Sequence, residues 1–417
     1  MTTELWDTAP ALPEWAGRLG ITRIADITAL DVLDIPVVNA VVPASADSIT
    51  VYSGKGRTLE AAVTSALMEA AERTCSTLPL QVDALDSLRS LIEQGHRVLD
   101  PRTLALPMNR AWTDTATTAW VYGHALTDNE PVLVPLAAAG YYRAVPAINP
   151  FQLSSSNGLA AGVDLAGAEE HALAEVIERH HWSLADLEGR VLPSLLPDGQ
   201  PLDDRADERH PSLALDDAPA SVRNLATRIA TGGAALTLRS LSFGQSSLQP
   251  HVMLALLLTQ DPYGPVQYHH GAGCSFDPET AAIRAITEAA QGRAVDVAAA
   301  REDLVQPGGT VAASGIHTQR AQRTPQDRWP LRQTTQRPFP SSGGAFPADD
   351  RPALVAAALE LSGDHPPVCV HLPTPDLPFE VVRVVVPHLD SYVVHHSAYG
   401  ARALERTRGL LSGAVLP

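Results

Sequence analysis

One helical pattern occurs three times in this chain, and no other sequence feature restricts the fold as strongly. The segments are 65–73 (SALMEAAER), 171–179 (HALAEVIER) and 284–291 (RAITEAAQ). Each reads x-Ala-Leu/Ile-x-Glu-x-x-Glu/Gln. A favourable helix N-cap stands eleven residues before the first Glu of each: Thr58, Asp164 and Asp277. Before each cap lies a glycine-containing stretch, Ser53-Gly54-Lys55-Gly56, Ser156-Asn157-Gly158 or Gly271-Ala272-Gly273, read as a turn. The sequence therefore predicts an α/β chain in which a strand, a glycine turn and a capped helix form one unit used three times.

Residues three apart share a helix face. Glu69 and Glu72 point the same way, as do Glu175 and Glu178, and Glu288 and Gln291. The intervening Leu67, Ala71, Leu173, Val176, Ile177, Ile286 and Ala290 are apolar, so these carboxylates border buried faces. Unpaired carboxylates are costly to bury, and arginines, protonation or bound cations must neutralise them. For one helix alone, surface Glu/Arg pairing is the default reading. The same spacing repeated in register three times favours a converging acidic site. Five such carboxylates suit a hard cation such as Mg²⁺, which takes oxygen ligands and bridges them to phosphates.

Other features narrow the field. The formal charge of −17 argues against broad nucleic-acid affinity, which needs a basic face. Lys55 is the only lysine in a chain whose other basic residues are arginine. There is no GxxxxGK[ST], GxSxG or HExxH motif. The pairs His180-His181, His269-His270 and His395-His396 read as structural rather than metal-binding. Cys75, Cys274 and Cys369 lie far apart, which suggests neither a disulfide framework nor a zinc site and fits a reducing cytoplasm. The opening MTTELWDTAP lacks an apolar signal-peptide core. The strongest apolar run, 252–258, is too short to span a membrane and reads as a buried strand.

Residues 1–45 read as an N-terminal segment with a helix near 12–19 and then alternating Ile/Val patches ending at 35–42, followed by one large unit over 46–417. Within that unit lie a core at about 50–300, a mobile insert at about 305–352 and a C-terminal α/β part at 353–417. Segment 192–220 reads as a surface excursion. A helix at about 352–362 and strands at 368–370 and 379–386 are expected beyond the insert.

The blocks SGKGRTLEAAVTSALMEAAER, SSNGLAAGVDLAGAEEHALAEVIER and GAGCSFDPETAAIRAITEAAQGR together resemble the three signature blocks of YcaO proteins. The upstream runs 20–37 and 48–53 resemble the branch associated with TfuA-type partners and peptide thioamide formation. The resemblance implies a YcaO-type fold around an acidic nucleotide site, with ATP and Mg²⁺ as cofactors. It implies that Glu69, Glu72, Glu175, Glu178 and Glu288 bind Mg²⁺ and that Arg179 and Arg284 contact phosphate, with Gln291 and Lys55 as lesser candidates for the nucleotide. The resemblance implies that no side chain of the protein is needed as nucleophile, so no catalytic residue is assigned. The implied reaction is ATP-dependent O-phosphorylation of a backbone amide in a ribosomally made precursor peptide. A thioamide or related product is favoured over an azoline, because the end of the chain, 410–417, lacks the PxPxP of many azoline-forming members. A TfuA-like or leader-binding protein is the implied partner, and a homodimer is left open.

The second block departs from the family pattern. Val163 stands where a nucleotide-binding Asn is usual, Gly167 where a metal-binding Glu is usual, Ala160 at a binding Ser position, and His180 where Asp commonly follows the Arg. Asp164, about three turns before Glu175, is a partial substitute unless its capping role occupies it. A second reading follows from these departures: a degenerate homologue that binds peptide or a partner without turnover.

Overall fold

The computed structural model describes residues 12–47, 49–104, 112–141, 155–195, 206–242, 244, 248–259, 267–298, 329, 336–340, 351–374, 376–392 and 399–411. Most of the expected insert, the His395-His396 pair and the last six residues lie outside them.

The described strands form three sheets, and every ladder is antiparallel. Strands β1 (Arg23–Asp26), β2 (Val37–Val41) and β3 (Val51–Lys55) make the first sheet. The second contains β4 (Ala84–Asp86), β5 (Thr118–Ala125), β6 (Pro131–Pro135), β7 (Leu159–Gly162), β11 (Val368–His371) and β12 (Glu380–Val385). Between these in the chain, β8 (Ala234–Ser240), β9 (His251–Thr259) and β10 (Gln267–Ser275) form the third. The three repeated helices are α1 (Leu59–Ser76), α2 (Leu165–Asp186) and α4 (Pro278–Val297). Helix α3 (Ala220–Thr231) covers the third sheet, and α5 (Arg351–Ser362) and α6 (Ala401–Leu411) follow it in the chain.

The repeat is realised as one strand–helix unit per sheet: β3–α1, β7–α2 and β10–α4. All three expected caps form. The Thr58 side chain accepts from the Ala61 N–H, Asp164 from Gly167, and Asp277 from Glu279 and Thr280. Each cap satisfies an otherwise orphaned donor at a helix start.

Two of the three glycine stretches are not turns. Gly54 lies within β3, and Gly271 and Gly273 lie within β10; of the three stretches, only 156–158 turns, with Gly158 at φ +80°. The physical reason is packing. A Cβ on Gly54 would lie 2.0 Å from the backbone N of Ala66, and one on Gly271 would lie 2.3 Å from that of Ala289. Each glycine therefore lets its strand sit directly against its own helix, where the contact face is alanine. Ala62, Ala66, Ala70, Ala281, Ala285 and Ala289 are all fully buried.

The other expected elements form nearby, with shifted ends and one change of type. The helix near 12–19 is a 3₁₀ helix, Glu14–Leu19. The 192–220 excursion is partly core: Leu213 is buried and bridged to Arg337, and Ser212 to Arg239. Of the expected insert, the described Trp329 and Phe339 are buried. No described helix is long and apolar enough to cross a membrane.

Candidate functional site

The charged residues at the middle of the three repeated helices interlock. Arg179 Nη1 lies 3.3 Å from Glu178 Oε1, its Nη2 3.6 Å from Glu288 Oε1, and its Nε 3.9 Å from Glu175 Oε1. Lys55 Nζ lies 3.1 Å from the other oxygen of Glu288. Glu69 acts electrostatically on Glu72, Glu175 and Lys55, which places α1's carboxylates in the same group. The structure thus brings Glu69, Glu72, Glu175, Glu178 and Glu288 together with Lys55 and Arg179.

The units also hold each other through these residues. Glu72 of the first accepts a 2.9 Å bond from the Ala161 N–H of the second. Gln291 of the third donates to the Ser53 carbonyl of the first. Arg284 donates to the Cys274 carbonyl of its own unit, and its charge reaches Glu178 and His171. Gln291 therefore has a bracing contact, and Arg284 lies at the exposed rim. Lys55 is the last residue of β3 with a half-buried, ion-paired side chain, and not the exposed turn residue expected from its flanking glycines.

The electrostatics record five acids and too few cations. Burial pushes Glu175 up to about 7 against the pull of Arg179, with Glu178 and Glu69 adding to the rise. Glu178 is likewise pushed to about 7 by burial, opposed by Arg179 and raised further by Glu288. Glu72 is well above the usual range from burial and the charge of Glu69. Burial alone would raise Glu288 too, but Lys55 and Arg179 hold it at about 2. Two cationic side chains thus secure one carboxylate, while Glu72, Glu175 and Glu178 remain under-compensated.

The stability consequence has a definite sign. Glu175 and Glu178 are raised above the ordinary glutamate value of about 4.3. Between that value and 7, the folded chain holds protons that the unfolded chain has released. Their stabilising contribution is complete at acid pH and falls as pH rises through this window. In chelator, Glu175→Gln/Glu178→Gln is expected to raise the melting temperature, relative to the unsubstituted protein, by more at about pH 8 than at about pH 5. A difference independent of pH would contradict the shifts.

Three features at the site were not found from sequence. Arg383 of β12 is buried, donates to the Ser155 carbonyl at 2.7 Å, and is pushed down to about 10 by burial despite the nearby Glu175. A lone cation in the strongly apolar run 379–386 was the available signal. His171 keeps an exposed face, and desolvation around its ring together with the charges of Arg284 and Lys55 lowers it to about 4. Arg73 braces the far side, bonding Asp47 and Tyr141. At the second-block departures, Val163 is 88% exposed, and Asp164 already caps α2 through a 2.8 Å bond to Gly167. His180 is buried and accepts from the Asp390 N–H at 3.0 Å, so it is structural. His269 bonds Asp296 instead of joining a metal cluster.

Residues 53–390 match the profile of a family described as YcaO cyclodehydratase, ATP- and Mg²⁺-binding. An uncharacterised protein of Methanothermobacter thermautotrophicus is 30% identical over 403 residues, covering 95% of this chain and 96% of its own. An uncharacterised protein encoded in the tfuA 3′ region of Rhizobium leguminosarum bv. trifolii is 30% identical over 408 residues, covering 94% and 89%. Among solved structures, YcaO from Methanopyrus kandleri bound with AMPPCP and Mg²⁺ superposes with a TM-score of 0.65 at 22% identity, over 93% of this chain and 91% of that one. The Escherichia coli microcin synthetase McbBCD complex gives a TM-score of 0.60 at 12% identity, with 85% of both chains covered. At these identities the structural likenesses establish the fold.

Proposed function

The chain belongs to the YcaO family of ATP- and Mg²⁺-binding cyclodehydratases, and from that premise we propose that it activates backbone amides of a ribosomally made peptide by O-phosphorylation. The observation that carries this reading is the meeting of Glu69, Glu72, Glu175, Glu178 and Glu288 from three helices, with Arg179 among them and Arg284 at the rim. The donor set fits a hard divalent cation: all five groups offer carboxylate oxygen, and Glu72, Glu175 and Glu178 are raised by burial and mutual repulsion that a cation would relieve. Bound Mg²⁺ supplies neutralisation of the triphosphate charge.

The protein's own contribution is positioning and charge. In this reading the five glutamates hold Mg²⁺, and Arg179 and Arg284 meet phosphate oxygens. Lys55 and Gln291 fix the edges of the cluster through Glu288 and Ser53. A nucleophile adds to the amide carbon and gives up its proton to solvent, the amide oxygen takes the γ-phosphoryl group of ATP with release of ADP, and phosphate then leaves with that oxygen. With sulfide as nucleophile the product is a thioamide; with a Cys, Ser or Thr side chain of the peptide it is an azoline. The relative encoded beside tfuA favours the thioamide and a TfuA-like partner.

The test combines the protein, ATP, Mg²⁺, a precursor peptide and TfuA-type protein from neighbouring genes, and a sulfide source. The expected peptide product carries sulfur in place of one backbone oxygen, with stoichiometric phosphate release. Loss of water without sulfur uptake would identify azoline formation. A second reading rests on Gly167, which offers no carboxylate, and on Asp164, which is committed to its cap. It expects peptide binding without phosphate release, and that result would overturn the enzymatic proposal. Calorimetry adds a further expected outcome: AMPPCP binds in Mg²⁺ and loses most of its affinity in excess chelator, because the carboxylates alone repel a triphosphate.

A further inference from the structure

Nearer the N-terminus of α2 than the glutamate cluster, four metal-ligating side chains meet. His124 of β5 and Cys369 of β11 are directly paired across the ladder. Side chains alternate along a strand, so His371 lies on the same face as Cys369. Glu169, in the second turn of α2, approaches that face from above and is almost fully buried. One ligand atom from each of these four residues lies within 4.8 Å of the other three. His124 Nε2 is already 3.0 Å from Glu169 Oε1.

We propose that His124, Glu169, Cys369 and His371 form a site for a borderline divalent transition metal of the zinc type. The ligand chemistry separates it from the glutamate cluster. Two imidazoles, a thiolate and one carboxylate suit Zn²⁺ in tetrahedral coordination, whereas all-carboxylate oxygen suits Mg²⁺. Zinc bonds of about 2.0–2.3 Å place ligand atoms about 3.3–3.8 Å apart, so closing the cluster asks for about 1 Å along its longest edge. The supporting contacts are in place. Arg351 Nε lies 2.5 Å from Glu169 Oε2, orienting the carboxylate while leaving Oε1 directed at the cluster. His371 is exposed and supplies an entry path, while Cys369 and Glu169 are closed off from water. Binding displaces the Cys369 thiol proton to solvent, and both imidazoles bind in their neutral form.

Such a site would clip β5, β11 and the second turn of α2 into one rigid piece. Glu175 lies six residues, about 9 Å, further along that same helix, so the metal would act on the glutamate cluster by position and not by chemistry. The inference does not depend on the amide-activation reading.

The experiment uses the full chain, stripped of metal and returned to excess Mg²⁺ to occupy carboxylate sites, then titrated with Co²⁺. One equivalent is expected to bind with a sulfur-to-cobalt charge-transfer band and tetrahedral d–d bands, both removed by stoichiometric Zn²⁺. Cys369→Ala should abolish the charge-transfer band, and Cys75→Ala should leave it intact. If Cys369→Ala does not fold, His371→Ala carries the test: its side chain is exposed, and it should weaken Co²⁺ binding by at least about tenfold with unchanged circular dichroism. Absence of a charge-transfer band in the unsubstituted protein, or its persistence in Cys369→Ala, would overturn the site. So would unchanged Co²⁺ affinity in a folded His371→Ala.

Discussion

Glu178→Gln is expected to lower peptide-dependent ATP consumption by about 10²–10³-fold while leaving the fold intact. Glu178 is buried on α2, 3.3 Å from Arg179, and pushed up to about 7 by its surroundings. A carboxylate held there against its own preference is maintained for a bound cation or is a liability to the fold. Gln preserves the side-chain shape and removes the charge, so the melting temperature without Mg²⁺ should be unchanged or higher. Activity and stability then move in opposite directions, which a merely structural ion pair with Arg179 would not produce. Phosphate release at saturating Mg²⁺ and thermal melting in chelator provide the two readouts. Wild-type turnover in Glu178→Gln would remove this residue from the proposed metal set; a matched fall in melting temperature would make it structural.

The second large effect concerns packing. Gly54→Ala and Gly271→Ala are each expected to destabilise the fold by about 1–3 kcal/mol or more, because backbone atoms cannot yield as a flexible side chain does. The added Cβ would meet Ala66 N at 2.0 Å or Ala289 N at 2.3 Å. The internal control is Gly167→Ala. Its Cβ meets only Asp164 Oδ1, at 3.3 Å, and the position is helical. Replacing glycine in a helix gains up to about 1 kcal/mol, so this variant should melt no lower than the unsubstituted protein. Chemical denaturation of the three variants compares them directly. Equal stability of Gly54→Ala and Gly167→Ala would refute the close-approach account.

These same residues mark the boundary between what sequence and tertiary structure each decide. Helix formation is local: cap chemistry and the spacing of Glu69 with Glu72, or Glu175 with Glu178, follow from a period of 3.6 residues. All three capped helices and the shared face of each carboxylate pair were therefore legible from the sequence alone. The strands at 252–258, 368–370 and 379–386 were legible for a similar reason, since apolar runs of that length have few other uses. The glycines were misread as turns because glycine in a strand and glycine in a turn look alike until a neighbour is known. Only the packed structure supplies Ala66 against Gly54 and Ala289 against Gly271. Lys55 was misplaced with them, and its pairing with Glu288 spans two units that the chain keeps far apart. Arg383 meets Glu175, and His124 meets Cys369, through strand pairing and layer packing that no local spacing encodes. The sequence by itself determined which side chains each helix carries and in which direction. The tertiary structure decided which helices face one another, because burial of three separate alanine-lined faces against three sheets is a property of the whole chain.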